Sequence, residues 1–280
     1  MSNLSVHIAG DSDTGKVREH NEDRIALRPD LGLAVLADGM GGHRAGEVAS
    51  GIAIQAVVDE LERTFAELAP GVNNIARANL VTSVNPVESE SDDSTEAVYL
   101  TLTAIAHANT LIYQSAKINP EHTGMGTTLV LALFALGNVT IAHVGDSRAY
   151  RLRDSHLERL TQDHSLIEEA VRKGMFSLEE AQRNFSKNII TRALGIGPDV
   201  DTDVQQFVMR PGDLYLLCSD GLTDLVSDAD LQLALQKFGT NLDQAVQHLI
   251  TLANARGGHD NISVVLALYQ PPVNALKLDA

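Results

Sequence analysis

Thr127-Thr-Leu-Val-Leu-Ala-Leu-Phe-Ala135, Leu136-Gly137-Asn138, Val139-Thr-Ile-Ala-His-Val144, Gly145-Asp146-Ser147-Arg148 and Ala149-Tyr-Arg-Leu-Arg153-Asp154-Ser155 follow one another without a break, and their reading decides the fold. Apolar and β-branched runs of strand length alternate here with turn-forming residues. Strands are therefore expected over Thr127 to Ala135, Val139 to Val144, Ala149 to Arg153 and Leu157 to Leu160, turning at Gly137-Asn138 and Asp154-Ser155. Consecutive hairpins mean an antiparallel sheet. Downstream, Val204 to Val208, the Pro211-Gly212-Asp213 turn and Leu214 to Cys218 predict another hairpin, and Ile262 to Tyr269 a final strand. Upstream, Leu33 to Ala37 is a short apolar run leading into an Asp-Gly corner.

Between these blocks the apolar period changes to that of a helix. Ile54, Val57, Val58, Leu61, Phe65 and Leu68 recur at three- and four-residue steps, and a second helix is expected from about Thr95 to Lys117, with Leu102, Ile105, Ala106, Leu111 and Ile112 on and around one face. The acidic stretch Asn85 to Glu96 has no apolar face and reads as a solvated connection. Asp163 to Leu194 carries helical segments, many charges and few large apolar residues, as a surface excursion would. Ser227-Asp-Ala-Asp230 and Asn241-Leu-Asp-Gln244 have the form of helix starts. Strands grouped with strands and helices with helices indicate an α+β architecture.

The formal charge of −16, with no Lys/Arg run, argues against a nucleic-acid or anionic-membrane partner. Met1 to Gly10 has neither a basic start nor an apolar stretch, and the longest apolar run, Leu129 to Leu136, is too short to span a bilayer. A soluble, cytoplasmic protein is expected. The single cysteine, Cys218, ends an apolar strand and reads as a small core residue.

Asp38, Asp146, Asp220 and Asp260 each stand where an apolar run gives way to a small polar residue or glycine. Strands that end together bring such carboxylates together, and clustered carboxylates either take up protons or share a cation; hard oxygen donors suit Mg²⁺ or Mn²⁺. Each also has a plainer reading, since aspartate commonly caps a turn with its own side chain. For Asp154 and Asp213 that reading is preferred.

The ordered set Ser12-Asp-Thr-Gly15, Arg18-Glu-His-Asn-Glu-Asp23, Asp38-Gly-Met-Gly-Gly-His43, Gly126-Thr-Thr128, Gly145-Asp-Ser-Arg148, Asp163-His-Ser165, Ser219-Asp-Gly-Leu-Thr-Asp224 and Asp260-Asn-Ile-Ser263 resembles the metal-dependent protein phosphatases of the PP2C type, particularly bacterial ones. The resemblance runs from about Ser12 to Tyr269. It implies a four-layer αββα sandwich, two central antiparallel sheets flanked by helices, in one domain over residues 1–270. The 163–194 excursion would be a flap over the cleft and 271–280 a tail.

Carried over position by position, the resemblance makes Asp38 the bridge between two Mn²⁺ or Mg²⁺ ions, with the Gly39 carbonyl, Asp220 and Asp260 completing the protein ligands. Glu22 and Asp23 would act through bound water, Asp146 with Asp220 would hold a third, weaker ion, and Arg18 would grip the substrate phosphate. Thr127, Thr128, Ser147 and Asn261 are expected to hydrogen-bond behind the ligands. The implied reaction is hydrolysis of phosphoserine and phosphothreonine in proteins by a metal-bridging hydroxide. Phosphoproteins, including a bacterial Ser/Thr kinase that the enzyme opposes, would be its partners, and it would act as a monomer. The chain departs from the eukaryotic pattern at Met40, where that pattern has a histidine proposed as general acid; metal-bound water, or else His43, would then protonate the leaving group. Two rival readings are a phosphoprotein-binding module without activity, which should have lost metal carboxylates, and a hydrolase of small phosphate esters.

Overall fold

Alternate residues of a strand face opposite ways, and in the apolar runs of this chain both directions are buried. The computed structural model describes residues 6–41, 45–68, 92–186, 189–239 and 241–270. Its elements are β1 (Val6–Asp13), β2 (Asp23–Arg28), β3 (Leu33–Met40), α1 (Ala45–Leu68), α2 (Asp92–Ile118), β4 (Gly126–Thr127), β5 (Leu129–Ala135), β6 (Asn138–Val144), β7 (Arg148–Arg153), β8 (His156–Arg159), α3 (Leu166–Arg172), α4 (Leu178–Asn184), β9 (Asp203–Val208), β10 (Leu214–Cys218), α5 (Asp220–Thr223), α6 (Asp228–Phe238), α7 (Leu242–Ala255) and β11 (Ile262–Tyr269). One sheet runs β1-β11-β10-β7-β8 and the other β2-β3-β5-β6-β9, with β4 paired to β3.

The two sheets face each other. Leu36, Val130, Phe134 and Ile141 of one pack against Tyr215, Leu217, Val265 and Ala267 of the other, and the Phe134 and Tyr215 rings meet edge to face at 5.3 Å. The odd-numbered partners on the first sheet, Leu33, Val35, Leu129 and Leu131, point outward to α1 and α2. Leu214, Leu216, Val264 and Leu266 on the second sheet point outward to α6 and α7. The result is the expected αββα layering. An uninterrupted apolar strand such as β5 is what a sheet covered on both faces requires.

Local chemistry explains the joints. Leu136 and Gly137 between β5 and β6, and Asp154 and Ser155 between β7 and β8, all have positive φ, the mark of the tight turn whose twist matches a hairpin. The first turn thus sits one residue earlier than the Gly137-Asn138 pair suggests. Ser227 and Asn241 accept hydrogen bonds from the Asp230 and Gln244 amides and start α6 and α7 as expected. The buried stripe of α2 is Leu100, Ala104, Ile105, Ala108 and Ile112, whereas Ala106 and Leu111 are exposed. That helix begins at Asp92, inside the acidic stretch. Residues 85–91 lie outside the described residues.

Two expectations fail, and both concern which sheet a strand joins. The strands β9 and β10 do not form a hairpin: β9 pairs with β6, and β10 pairs with β7 and β11. The Pro211-Gly212-Asp213 turn instead carries the chain from one sheet to the other. The same holds for Gly145-Asp146-Ser147, which joins β6 of one sheet to β7 of the other. In addition, β1 and β2 are strands that the apolar pattern does not announce.

Asp213 does more than cap its turn. Its carboxylate, 1% exposed, accepts the Arg153 guanidinium at 2.7 and 2.6 Å, the Arg210 amide at 2.7 Å and the Tyr215 hydroxyl at 3.1 Å. Removing one partner of a buried ion pair strands the other, so Asp213→Ala should cost about 3–5 kcal/mol of stability by urea denaturation. A loss below about 1 kcal/mol would contradict this account of the sheet crossing.

Candidate metal centre

Every candidate carboxylate stands at the end of a strand or just outside one, and the register of the sheets brings those ends together. Asp23 opens β2 and lies opposite Asp38 of β3. Asp146 occupies the crossing between sheets, Asp220 follows β10 at the start of α5, and Asp260 precedes β11. Asp23, from one sheet, accepts the Ser263 hydroxyl of the other at 2.6 Å, and the Ser263 carbonyl accepts the Ser219 amide at 3.2 Å beside Asp220. Two glycines permit the close approach. A Cβ on Gly39 would lie 2.1 Å from the Gly46 carbonyl at the start of α1, and one on Gly221 would lie 2.0 Å from the Asn261 carbonyl.

Proximity leaves an electrostatic signature. Burial, then the charges of Asp23, Asp220, Asp146 and Asp260, hold the Asp38 carboxyl well above the ordinary aspartate range. Burial raises Asp220 in the same way, helped by Asp146, Asp260, Asp224 and Asp23. Burial also pushes Asp23 up to about 6 against hydrogen bonds from Ser263 and Ser219, and Asp146 up to about 6 with Asp163 adding to the effect. Glu22 is raised by burial too, although Arg18 opposes the shift. Such a set either holds protons near neutrality or shares a multivalent cation.

The donor set fits divalent cations. Glu22 Oε1 and Asp23 Oδ1 are buried and have no hydrogen-bond partner, which is costly for a carboxylate unless a ligand meets it. All the side-chain groups are hard oxygen donors of the kind that Mg²⁺ and Mn²⁺ prefer. At the rim, the exposed Arg18 guanidinium donates to Asp260 Oδ2 at 2.7 Å.

Small polar residues fix the backbone behind the carboxylates. Thr127 donates to the Asp38 carbonyl at 2.8 Å, and the Asp38 amide donates to Thr128 Oγ1 at 3.1 Å. Thr128 and Ser147 share a hydroxyl contact of 2.7 Å that ties the junction of β4 and β5 to the sheet crossing. Asn261 accepts the Glu22 amide and donates to the Thr14 and His20 carbonyls, so one side chain holds the Arg18-to-Glu22 loop against the start of β11. His43 lies outside the described residues.

Several contributors stand in the quoted motifs but receive no role from the sequence. Asp224, one turn beyond Asp220, adds its charge to Asp146 and Asp220. Ser263 touches Asp23 directly. Asp163 takes the Arg148 guanidinium in a fork at 3.0 and 2.7 Å, and Arg159 as well, so the positive charge nearest Asp146 is committed to Asp163. In the excursion, Lys173 and Arg183 pair with Glu169 and Glu179 on their own helices, which leaves little net positive charge there.

A family model described as protein phosphatase 2C matches residues 14–255. The serine/threonine phosphatase stp of Listeria innocua is 37% identical over 264 residues, covering 93% of this chain and 95% of that protein. The crystal structure of the Mycobacterium tuberculosis serine/threonine phosphatase PstP/Ppp superposes with a TM-score of 0.77 at 34% identity, over 95% of this chain and 99% of that one. That of the PstP catalytic domain in complex with two manganese ions gives a TM-score of 0.74 at 35% identity, over 96% and 100%.

The carboxylate cluster has a stability consequence. A folded-state pKa of about 6 for Asp23, against a reference of 3.8, gives a contribution that is full below about pH 4 and lost as the pH rises through about 6. In chelator-treated protein, Asp23→Asn should therefore stabilise the fold by about 3 kcal/mol at pH 7 and by little at pH 4. Denaturant midpoints at the two pH values provide the measurement, and equal effects at both would refute the cluster electrostatics.

Proposed function

Because the chain belongs to the protein phosphatase 2C family, we propose that it hydrolyses phosphoserine and phosphothreonine in proteins, with Mn²⁺ or Mg²⁺ bound at the carboxylate cluster. The observation that carries this reading is the convergence of Asp38, Asp146, Asp220 and Asp260 with Asp23 in one partly buried cluster. A binding module without activity has no use for so unfavourable an arrangement.

Asp38, the Gly39 carbonyl, Asp220 and Asp260 would hold two cations, with Glu22 and Asp23 reaching them through water and Asp146 with Asp220 holding a third. Bound there, the cations supply Lewis-acid polarisation of the phosphoryl oxygens and acidify water for in-line attack. The chain itself provides position and charge. Arg18 can leave Asp260 for a phosphate, to which its planar fork of donors presents two hydrogen bonds at once. Charge developing on the phosphoryl oxygens then meets a guanidinium at the rim of the cluster. Thr127 and Thr128 keep the Asp38 backbone fixed from both sides, and Asn261 keeps the Arg18 loop at the right distance from Asp260. Met40, a half-buried thioether, offers no proton, so the leaving alkoxide takes one from solvent-derived water or from His43.

The acidic chain disfavours nucleic acid as substrate. No helix among the described residues is long and apolar enough to cross a membrane. We further propose that the enzyme acts as a cytoplasmic monomer on phosphoproteins, among them a Ser/Thr kinase whose action it opposes.

Phosphate release from a phosphothreonine peptide should require Mn²⁺ and stop in excess chelator, and equal rates in both would contradict the proposal. Asp38→Asn exchanges a charged ligand for a neutral amide. Losing several kcal/mol of transition-state stabilisation corresponds to a fall in kcat/KM of about 10³-fold.

A further inference from the structure

His164 lies outside the carboxylate cluster, yet it holds both polar groups of the residue that precedes Asp146. Its amide donates to the Gly145 carbonyl at 2.9 Å, and its Nδ1 accepts the Gly145 amide at 3.1 Å. Gly145 itself has φ +102, with Thr128 only 2.7 Å from where a Cβ would stand. The backbone there is therefore a shape that only glycine adopts readily, and glycine does not enforce a single one. Hydrogen bonds must do that, and one residue supplies them on both sides of Gly145.

The tautomer follows from the partners. An Nδ1 that accepts an amide carries no proton, so Nε2 carries it, and Nε2 faces Asp203 Oδ2 at 3.3 Å. Asp203 Oδ1 in turn accepts Arg192 at 2.9 Å. His143 stacks on His164 with ring centroids 4.6 Å apart and contacts the Gln162 carbonyl at 2.7 Å. Burial lowers the pKa of His164, which keeps it neutral and keeps Nδ1 an acceptor.

Ligand atoms of His143, His164 and Asp203 lie within 4.8 Å of one another, but this group is poorly suited to a cation. The nitrogen of His164 that faces Asp203 is the protonated one, the Arg192 guanidinium lies 3.3 Å from it, and the adjoining cavity, lined by His164, Arg192 and Asp203, is only about 10 Å³. The group serves instead to orient His164.

We propose that His164 is a positioning residue for the reaction: by holding the Gly145 peptide through Nδ1 it fixes the direction in which Asp146 offers its carboxylate to the cation cluster. This rests on the phosphatase reading above. Asp203 sets the tautomer, and Arg192, near the end of the 163–194 excursion, steadies Asp203. The Asp146 loop and the end of that excursion thus meet on one imidazole. The Thr191 amide also donates to the His164 carbonyl at 2.7 Å, on the same short segment.

Two substitutions separate the contacts. Asn places an acceptor where Nδ1 lies but cannot reach Asp203; Gln reaches the Nε2 position but leaves the Gly145 amide without its acceptor. In metal-free protein, exchange of the Gly145 amide should be protected in wild type and His164→Asn and accelerated in His164→Gln. The Mn²⁺ concentration for half-maximal phosphate release should rise about tenfold or more in His164→Gln, as for other residues that orient a ligand. His164→Asn should restore it to within about twofold of wild type, and KM for the phosphopeptide should be unchanged in both. Nitrogen chemical shifts of the wild-type imidazole supply a test that needs no variant and should show the proton on Nε2. A proton on Nδ1, or the same exchange and Mn²⁺ dependence in the two variants, would overturn the proposal. A wild-type protein that releases no phosphate with Mn²⁺ would overturn the phosphatase reading instead, and the exchange and nitrogen measurements would still decide whether His164 holds Gly145.

Discussion

Mutual repulsion among buried carboxylates is the constraint on which the rest of this structure turns. Asp23, Asp38, Asp146 and Asp220 are drawn from both sheets into one partly dry space, where burial raises the proton affinity of each and neighbouring carboxylates raise that of Asp38 and Asp220 further. A fold gains nothing in stability from such an arrangement, since like charges in low dielectric oppose compaction. Its presence makes sense when multivalent cations neutralise it, and then the energy stored in repulsion becomes affinity for the cation.

The remainder of the molecule can be understood as the framework that keeps those groups close. Sheets covered by helices on their outer faces and by each other on their inner faces give strands with little freedom to shift register, because a one-residue slip would turn every apolar side chain to the wrong layer. The carboxylate-bearing segments are then the places where strands end or the chain changes sheet. Behind them stand short hydroxyl and amide side chains, Thr127, Thr128, Ser147, Asn261 and Ser263, whose few rotatable bonds hold the backbone with little entropic loss. The Asp163-His164 segment adds a second clamp, gripping Arg148 through a carboxylate and Gly145 through an imidazole. Both ends of the loop that carries Asp146 are thereby held by consecutive residues.

Much of this was legible from residue order. Continuous apolar runs in β5, β10 and β11 announce strands buried on both faces, and the Asp-Gly and Asp-Asn corners mark where carboxylates leave them. What could not be read has physical reasons. The sequence of β1, Val-His-Ile-Ala-Gly-Asp-Ser-Asp, is too polar and too rich in small residues to signal a strand, and it becomes one because β11 offers it a complete antiparallel edge. A Pro-Gly-Asp turn looks alike whether it closes a hairpin or crosses between sheets, so the partners of β9 and β10 depend on packing that no local pattern encodes. Asp213 has the local pattern of a turn cap, and nothing near it in sequence announces the guanidinium of Arg153 that it holds. The role of His164 likewise arises from neighbours distant in sequence, Gly145 and Asp203.

The central claim, that the cluster exists to hold divalent cations between the sheets, is tested most directly by anomalous scattering from crystals grown with Mn²⁺. The account predicts two strong peaks bridged by the Asp38 carboxylate and flanked by Asp220, Asp260 and the Gly39 carbonyl. Manganese bound elsewhere, with these side chains making only protein hydrogen bonds at millimolar Mn²⁺, would contradict it.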